Sequence, residues 1–163
     1  MLQRPMSGPE DYLKYVRYEV ALECLRKRKS DALKWRRRTE SDFAGIAGIH
    51  TIFKRACLRF RADKRLWYQR IDFCLRSGST TALAKVLAKA VKLHPKEEGF
   101  WLLAADRELK LGHIAAARTL LLRALRCSPQ SWKLWLEFIR LEVQVARRME
   151  ARRLRKAQLE AEE

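Results

Sequence analysis

The chain has 163 residues, 48% of them hydrophobic, enough to build one domain with a sizeable core. It carries 36 Lys and Arg against 19 Asp and Glu, a formal charge of +17 that favours acidic partners: nucleic acid, acidic protein segments, or both. No apolar run approaches the ~18 residues of a membrane span and no signal-peptide core opens the chain, so a soluble, intracellular protein is expected.

In chain order, residues 1–9 hold Pro5, Ser7, Gly8 and Pro9 and read as an irregular lead-in. Glu10 to Glu19 then reads as a helix presenting Tyr12 and Tyr15. From Arg26 to Arg38 there are eight basic residues (Arg26, Lys27, Arg28, Lys29, Lys34, Arg36, Arg37, Arg38) around one acid, Asp31. Leu22, Leu25, Leu33 and Trp35 are interspersed. The stretch is expected to be a lengthened first helix, then a loop starting around Ser30 or Thr39 and reaching Gly45. Its charge reads as a solvated face with a nuclear import signal, or as contact with RNA phosphates or an acidic partner; membrane-surface binding is a third reading that the repeat context disfavours.

Beyond it a fixed period emerges. Trp67, Trp101 and Trp135 are 34 residues apart, and so are Ala56, Ala90 and Ala124, Gly78 and Gly112, and Pro95 and Pro129. That period marks a helix–turn–helix repeat array. In one unit, Trp67, Ile71, Phe73 and Cys74 stripe a first helix. Gly78 suits its C-cap, Ser79 to Thr81 can start the next helix, and Leu83, Val86, Leu87, Ala90, Val91 and Leu93 stripe a second, closed by Pro95. The next unit repeats the plan: Phe100, Trp101, Ala104, Ala105 and Leu109, a break at Gly112, then Ala116, Leu120, Leu121, Ala124 and Leu125 up to Pro129. A further unit opens with Trp132, Leu134, Trp135, Phe138 and Ile139. Ala146 stands where Gly would end that helix, so it is expected to run past Arg153.

The columns Tyr12, Trp67, Trp101, Trp135, Ala56, Ala90 and Ala124 are therefore expected to be repeat core: indoles bury large areas and alanines let helices approach. From Tyr12 to Ala56 there are 44 residues, against 23 from Trp to Ala in the regular units, so the first unit holds 21 extra residues, the basic stretch. The domain reading is 1–9 lead-in, 10–145 repeats with a basic insertion at about 24–45, and 146–163 an extended charged helix. Candidate contacts to RNA or an acidic partner are Arg26, Lys27, Arg28, Lys29, Arg36, Arg37 and Arg38, with Arg147, Arg148, Arg152 and Arg153 in the last helix.

Cys24, Cys57, Cys74 and Cys127 form no C-x-x-C pair, and His50, His94 and His113 are scattered, so no metal site is expected. Cys57, Cys74 and Cys127 lie near apolar positions and are expected to be buried, reduced thiols of a cytosolic or nuclear protein. No phosphate loop, H-E-x-x-H, G-x-S-x-G or dinucleotide loop is present, so no enzyme, cofactor or small-molecule substrate is expected. Neither is an RRM, KH or zinc-knuckle pattern, which disfavours sequence-specific RNA readout.

The repeat resembles the half-a-tetratricopeptide (HAT) form. It has an aromatic position, a second aromatic three on, Glu seven on (Tyr12, Tyr15, Glu19; Trp135, Phe138, Glu142), and a later basic-Ala pair: Arg55-Ala56, Lys89-Ala90, Arg123-Ala124. The fold class is thus all-α, a HAT/TPR-like repeat solenoid, and HAT repeats imply RNA-processing assemblies. Asp11 to Glu19 with the basic insertion, Leu66-Trp67, Asp72 to Cys74, Leu93-His94-Pro95, Trp101 to Glu108 and Leu134 to Glu142 resemble the N-terminal part of the U3 small nucleolar RNA-associated protein 6 family. The resemblance implies a non-catalytic scaffold in the small-subunit processome, supporting U3-dependent cleavage of pre-ribosomal RNA toward 18S RNA. The implied place is the nucleolus, among UTP-B proteins with WD40 propellers. Such proteins carry a further helical segment before the first repeat and many repeats after it, so a fragment or a reduced member is expected. HAT scaffolds of pre-mRNA splicing or 3′-end processing are the alternative, as is a non-specific basic RNA-binding module.

Overall fold

The computed structural model describes residues 8–33 and 40–161. Among them are seven α-helices and no strand: α1 (Pro9–Ala32), α2 (Glu40–Arg59), α3 (Lys64–Arg76), α4 (Thr80–Leu93), α5 (Glu98–Lys110), α6 (Ile114–Cys127) and α7 (Trp132–Ala161). The fold is all-α and built of TPR-like helix–turn–helix units.

The turns inside the repeats follow directly from glycine chemistry. Gly78 and Gly112 have φ of 66° and 81°, the left-handed region where a side chain is strained. After α3 the Ser79 N–H donates to the Cys74 carbonyl at 3.1 Å and the Gly78 N–H to the Leu75 carbonyl at 3.3 Å; after α5 the same pair runs from His113 to Glu108 at 2.8 Å and from Gly112 to Leu109 at 3.0 Å. Both are Schellman caps, which satisfy the last carbonyls of a helix before the chain reverses.

The turns between repeats also keep the period. The carbonyls of Ala56, Ala90 and Ala124 accept from the N–H groups of Phe60, His94 and Ser128 at 2.9, 2.8 and 2.9 Å. The carbonyls of Phe60, His94 and Ser128 in turn accept from Asp63, Glu97 and Ser131 at 3.2, 3.0 and 3.2 Å. Each tryptophan then fixes the turn before it. Trp67 Nε1 donates to the Arg61 carbonyl at 3.2 Å, Trp101 Nε1 to that of Pro95 at 2.9 Å, and Trp135 Nε1 to that of Pro129 at 2.9 Å. The buried indole N–H groups of Trp67 and Trp101 must find an acceptor, and the turn six residues upstream supplies it, as it does for the more exposed Trp135.

The chain divides into two compact units, 1–86 and 87–163, with the boundary inside α4. In the first, α1 packs on α2 and α2 on α3. Val16, Ile49 and Phe53 form the buried centre, with Val20, Ile52 and Phe73 against it, and Tyr12 meets Phe60 edge-on at 5.9 Å. In the second, α6 packs against both α5 and α7. Its core joins Trp101, Ala105, Ala117, Leu121, Ala124, Leu125, Leu134 and Leu141.

Three expectations differ from what the structure shows. The loop expected to reach Gly45 is already helix from Glu40, and Ser30 lies within α1. Ile49 and Phe53 stripe α2 toward α1, and Gly45 lies inside that helix with the end of the Glu23 side chain over it rather than in a turn. Cys127 is exposed while Cys57 and Cys74 are buried, because Cys127 is the last residue of α6 and lies about a quarter turn off the Ala117–Leu121–Ala124 stripe. Trp135 is 47% exposed, whereas Trp67 and Trp101 are 2% and 6%. Trp101 is enclosed because α6 and α7 both pack on α5; among the described residues no helix follows α7 to cover Trp135. Ile139, in the same stripe, is 55% exposed.

Candidate partner-binding surfaces

Arg26, Lys27, Arg28 and Lys29 occupy the last turns of α1 and are all exposed. Four successive helical residues are about 100° apart, so together they ring the helix end rather than form one stripe. Cations there also offset the helix dipole. Arg26 approaches Glu23 at 3.6 Å, an exposed contact of small energetic weight. Leu25 beside them is 60% exposed, which gives the basic ring an apolar member. Arg36, Arg37 and Arg38 lie outside the described residues.

Arg147, Arg148, Arg152 and Arg153 lie on the second half of α7, all exposed. The described basic candidates thus fall on two helices, α1 in the first compact unit and α7 in the second. Of the aromatic column, Trp67 and Trp101 are buried and Trp135 is not. Ala56, Ala90 and Ala124 are fully buried, and Tyr12 is half-buried.

The Glu column has distinct partners. Glu142 accepts a two-pronged hydrogen bond from Arg118, Nε to Oε1 and Nη2 to Oε2, each 2.6 Å, tying α7 to α6. The guanidinium pKa is raised by that hydrogen bond and by the carboxylate charge. Glu108 pairs with Arg107 and accepts from His113 at 2.9 Å across the Gly112 turn. A hydrogen bond to Glu19 raises the Tyr15 pKa. The sequence flagged these glutamates by position but not Arg118, because a 24-residue separation carries no local signal.

A polar cluster inside the first unit also went unforeseen. His50 hydrogen-bonds the Ser79 hydroxyl at 3.2 Å and meets Phe73 edge-on at 5.0 Å. Burial, then the Arg70 charge, holds its pKa below the ordinary histidine value. Burial raises the thiols of Cys57 and Cys74, which keeps them protonated and inert, with Arg70 opposing. Among the described residues no group of three His, Cys, Asp or Glu could hold a metal ion, and no helix is long and apolar enough to cross a membrane.

The depressed His50 has a pH consequence. The unfolded chain binds this proton more readily than the folded one, so the contribution is fully present above the unfolded value of about 6.5 and is lost as pH falls toward the lower folded value. Thermal melts from about pH 7.5 down to about pH 5 are expected to show falling stability, and His50→Gln is expected to flatten that fall. An unchanged slope in the variant would assign the effect to other groups.

The chain is similar to known proteins over the same elements. Residues 1–51 match the family described as U3 small nucleolar RNA-associated protein 6, a span holding α1 and the first part of α2. Residues 64–107 and 98–141 match the tetratricopeptide repeat family, a span holding α3 to α6 and the first part of α7. The U3 small nucleolar RNA-associated protein 6 homolog of Mus musculus is 32% identical over 100 residues, 61% of this chain and 17% of that protein. U3 small nucleolar RNA-associated protein 6 of Schizosaccharomyces pombe is 31% identical over 108 residues, 66% of this chain and 22% of that protein. The Homo sapiens homolog is 30% identical over 66% of this chain and 18% of its own length. The chain thus spans about a fifth of the length of these curated relatives. Among solved structures, the type III secretion translocator chaperone SycD of Yersinia enterocolitica is similar with a TM-score of 0.47 and 14% identity, over 84% of this chain and 92% of that one. A likeness of that size carries no argument about function. The helical repeats, the match over the first 51 residues and these three relatives together relate this chain to the U3 small nucleolar RNA-associated protein 6 family.

Proposed function

We propose that the chain is a non-enzymatic scaffold in ribosome biogenesis, acting within the small-subunit processome in U3-dependent pre-ribosomal RNA processing and 18S RNA maturation. The observation that carries this reading is the match of residues 1–51, the segment with the basic insertion, to the U3-associated family. Repeats of helix pairs are interaction surfaces by construction, and the described polar residues sit in packing or on exposed faces. The partners are processome proteins, including WD40-propeller members of UTP-B, with U3 and pre-ribosomal RNA contacted directly or through them; the compartment is the nucleolus. The domain scheme proposed with this reading is a lead-in over 1–9, repeats over 10–145 with a basic insertion at about 24–45, and a charged helix over 146–163.

A tagged pull-down from nuclear extract, with and without RNase, tests it. Enrichment of U3 RNA and propeller proteins is the expected result, and survival of the proteins after RNase identifies protein scaffolding. Splicing or 3′-end factors in their place would move the chain to another HAT assembly.

A second reading, a non-specific RNA-binding module, is favoured by the charge of +17 and the exposed basic groups on α1 and α7. Phosphate binding of that kind weakens steeply with salt. Replacing Arg26, Lys27, Arg28 and Lys29 by Gln is expected to reduce the log–log salt slope by up to roughly 3–4. An unchanged slope removes the α1 ring as an RNA surface.

A further inference from the structure

Acidic and basic residues are sorted by helix in the regular repeats. The second helices of the pairs, α4 and α6, contain no Asp or Glu; α4 carries three lysines and α6 three arginines. The helical acids stand on α3, α5 and α7, where exposed ones find a cation about one turn away. Asp72 meets Arg76 and Asp106 meets Lys110, each at 2.7 Å, and Glu137 meets Arg140. Arg118 of α6 is taken up by Glu142. Lys89 and Lys92 of α4 and Arg123 and Arg126 of α6 are exposed, and among the described residues no acid pairs with them.

These four cations share one side of the second unit. Lys89 lies one period of 34 residues before Arg123, and Lys92 before Arg126; stacked repeats set equivalent positions on the same side. On α4 both turn away from the buried Leu87 and Ala90, while Val91 holds that end of the helix to the core of α5 to α7. On α6 both turn away from the buried stripe of Ala117, Leu121 and Ala124. A following repeat does not cover this side, since Lys89 and Lys92 are exposed with α5 and α6 in place after them. The face belongs to the repeat itself and does not depend on the last helix.

Its chemistry selects the occupant. Beside the α6 arginines lie Ala115, Ala116 and Thr119, all exposed, and neither α4 nor α6 has an aromatic residue. A protein partner needs aromatic or apolar anchors at the centre of its interface, and here the exposed Leu93 and Leu122 stand only on the flanks. Exposed cations of one sign, unshared with local acids, neutralise phosphates and release their counterions. We propose that the outer face of α4 and α6, through Lys89, Lys92, Arg123 and Arg126, binds an RNA phosphate backbone without reading sequence. The inference rests on the RNA-binding reading above and adds to it a surface apart from the α1 ring and the α7 arginines.

Fluorescence anisotropy of the full chain with a labelled single-stranded RNA of about 20 nucleotides, titrated over a range of salt, tests it. The set Lys89→Gln, Lys92→Gln, Arg123→Gln and Arg126→Gln is expected to lower the log–log salt slope by about 2–3 and the low-salt affinity by at least about tenfold. Circular dichroism and melting are expected to stay unchanged, since the four side chains are exposed and Gln is a good helix former. The charge-keeping set Lys89→Arg, Lys92→Arg, Arg123→Lys and Arg126→Lys is expected to bind as the unaltered chain does. A control removes four cations that already pair, Arg65→Gln, Arg76→Gln, Lys110→Gln and Arg140→Gln, and is expected to change the slope by less than about 1. An equal loss in the control means that net charge alone acts, and overturns the proposal. An unchanged slope in the first set also overturns it; if the α1 ring variant still lowers the slope, the RNA-binding reading survives without this face. No binding by the unaltered chain at about 100 µM overturns both. Polyglutamate competing as well as unlabelled RNA at matched charge assigns the face to an acidic polypeptide and overturns the proposal.

Discussion

Trp101→Ala is expected to destabilise residues 87–163 by about 3–5 kcal/mol, the cost of an emptied aromatic site in a packed core. Trp101 is 6% exposed at the junction of α5 with α6 and α7, and its indole N–H bonds the Pro95 carbonyl at 2.9 Å. The change removes the ring's burial, leaves a cavity among Ala105, Leu121 and Leu125, and unties the turn before α5. Trp135→Ala, at the same place one repeat later but 47% exposed, is expected to cost about 1 kcal/mol. Urea unfolding of both variants measures the contrast. Equal costs would mean that Trp135 is covered in solution, for instance by self-association.

Ala124→Leu is expected to cost about 1–3 kcal/mol through overpacking. Ala124 has no exposed surface and lies in the same cluster as Trp101, Leu121 and Leu134, while its carbonyl accepts from Ser128 at 2.9 Å. A larger side chain must push α6 from its neighbours or shift the turn that this carbonyl closes. Ala116→Leu, exposed on the same helix, serves as the control and is expected to change stability by no more than about 0.5 kcal/mol. Comparable losses in the two variants would show that helix propensity, rather than close approach, governs the column.

The parts of the fold legible from sequence are those set by local chemistry. Gly78 and Gly112 marked the Schellman turns because only a residue without a Cβ adopts that backbone freely, and the spacing of Trp67 and Trp101 located the two regular helix pairs. What failed to show depended on neighbours. Gly45 looked like a turn signal, yet it sits in a helix where Glu23 of α1 comes close. Trp135 has the same local sequence setting as Trp101, and its exposure is decided by which helices pack beside it. The surface cations were plain from composition. Their division between the first helix and the last was legible too, whereas the Arg118–Glu142 bond across 24 residues needed the helices to be laid out.

The tryptophan bonds place unequal demands on the residues they join. The acceptor is a main-chain carbonyl at each of positions 61, 95 and 129. It is blind to the side chain there, and Arg61 stands in the first of these turns where Pro95 and Pro129 occupy the others. The donor is an indole N–H, which no other natural side chain supplies with the same reach and bulk. The turn thus admits Arg61 as readily as proline, while the bond itself calls for an indole N–H six residues on. One half of each link is generic main chain and the other is a particular side chain.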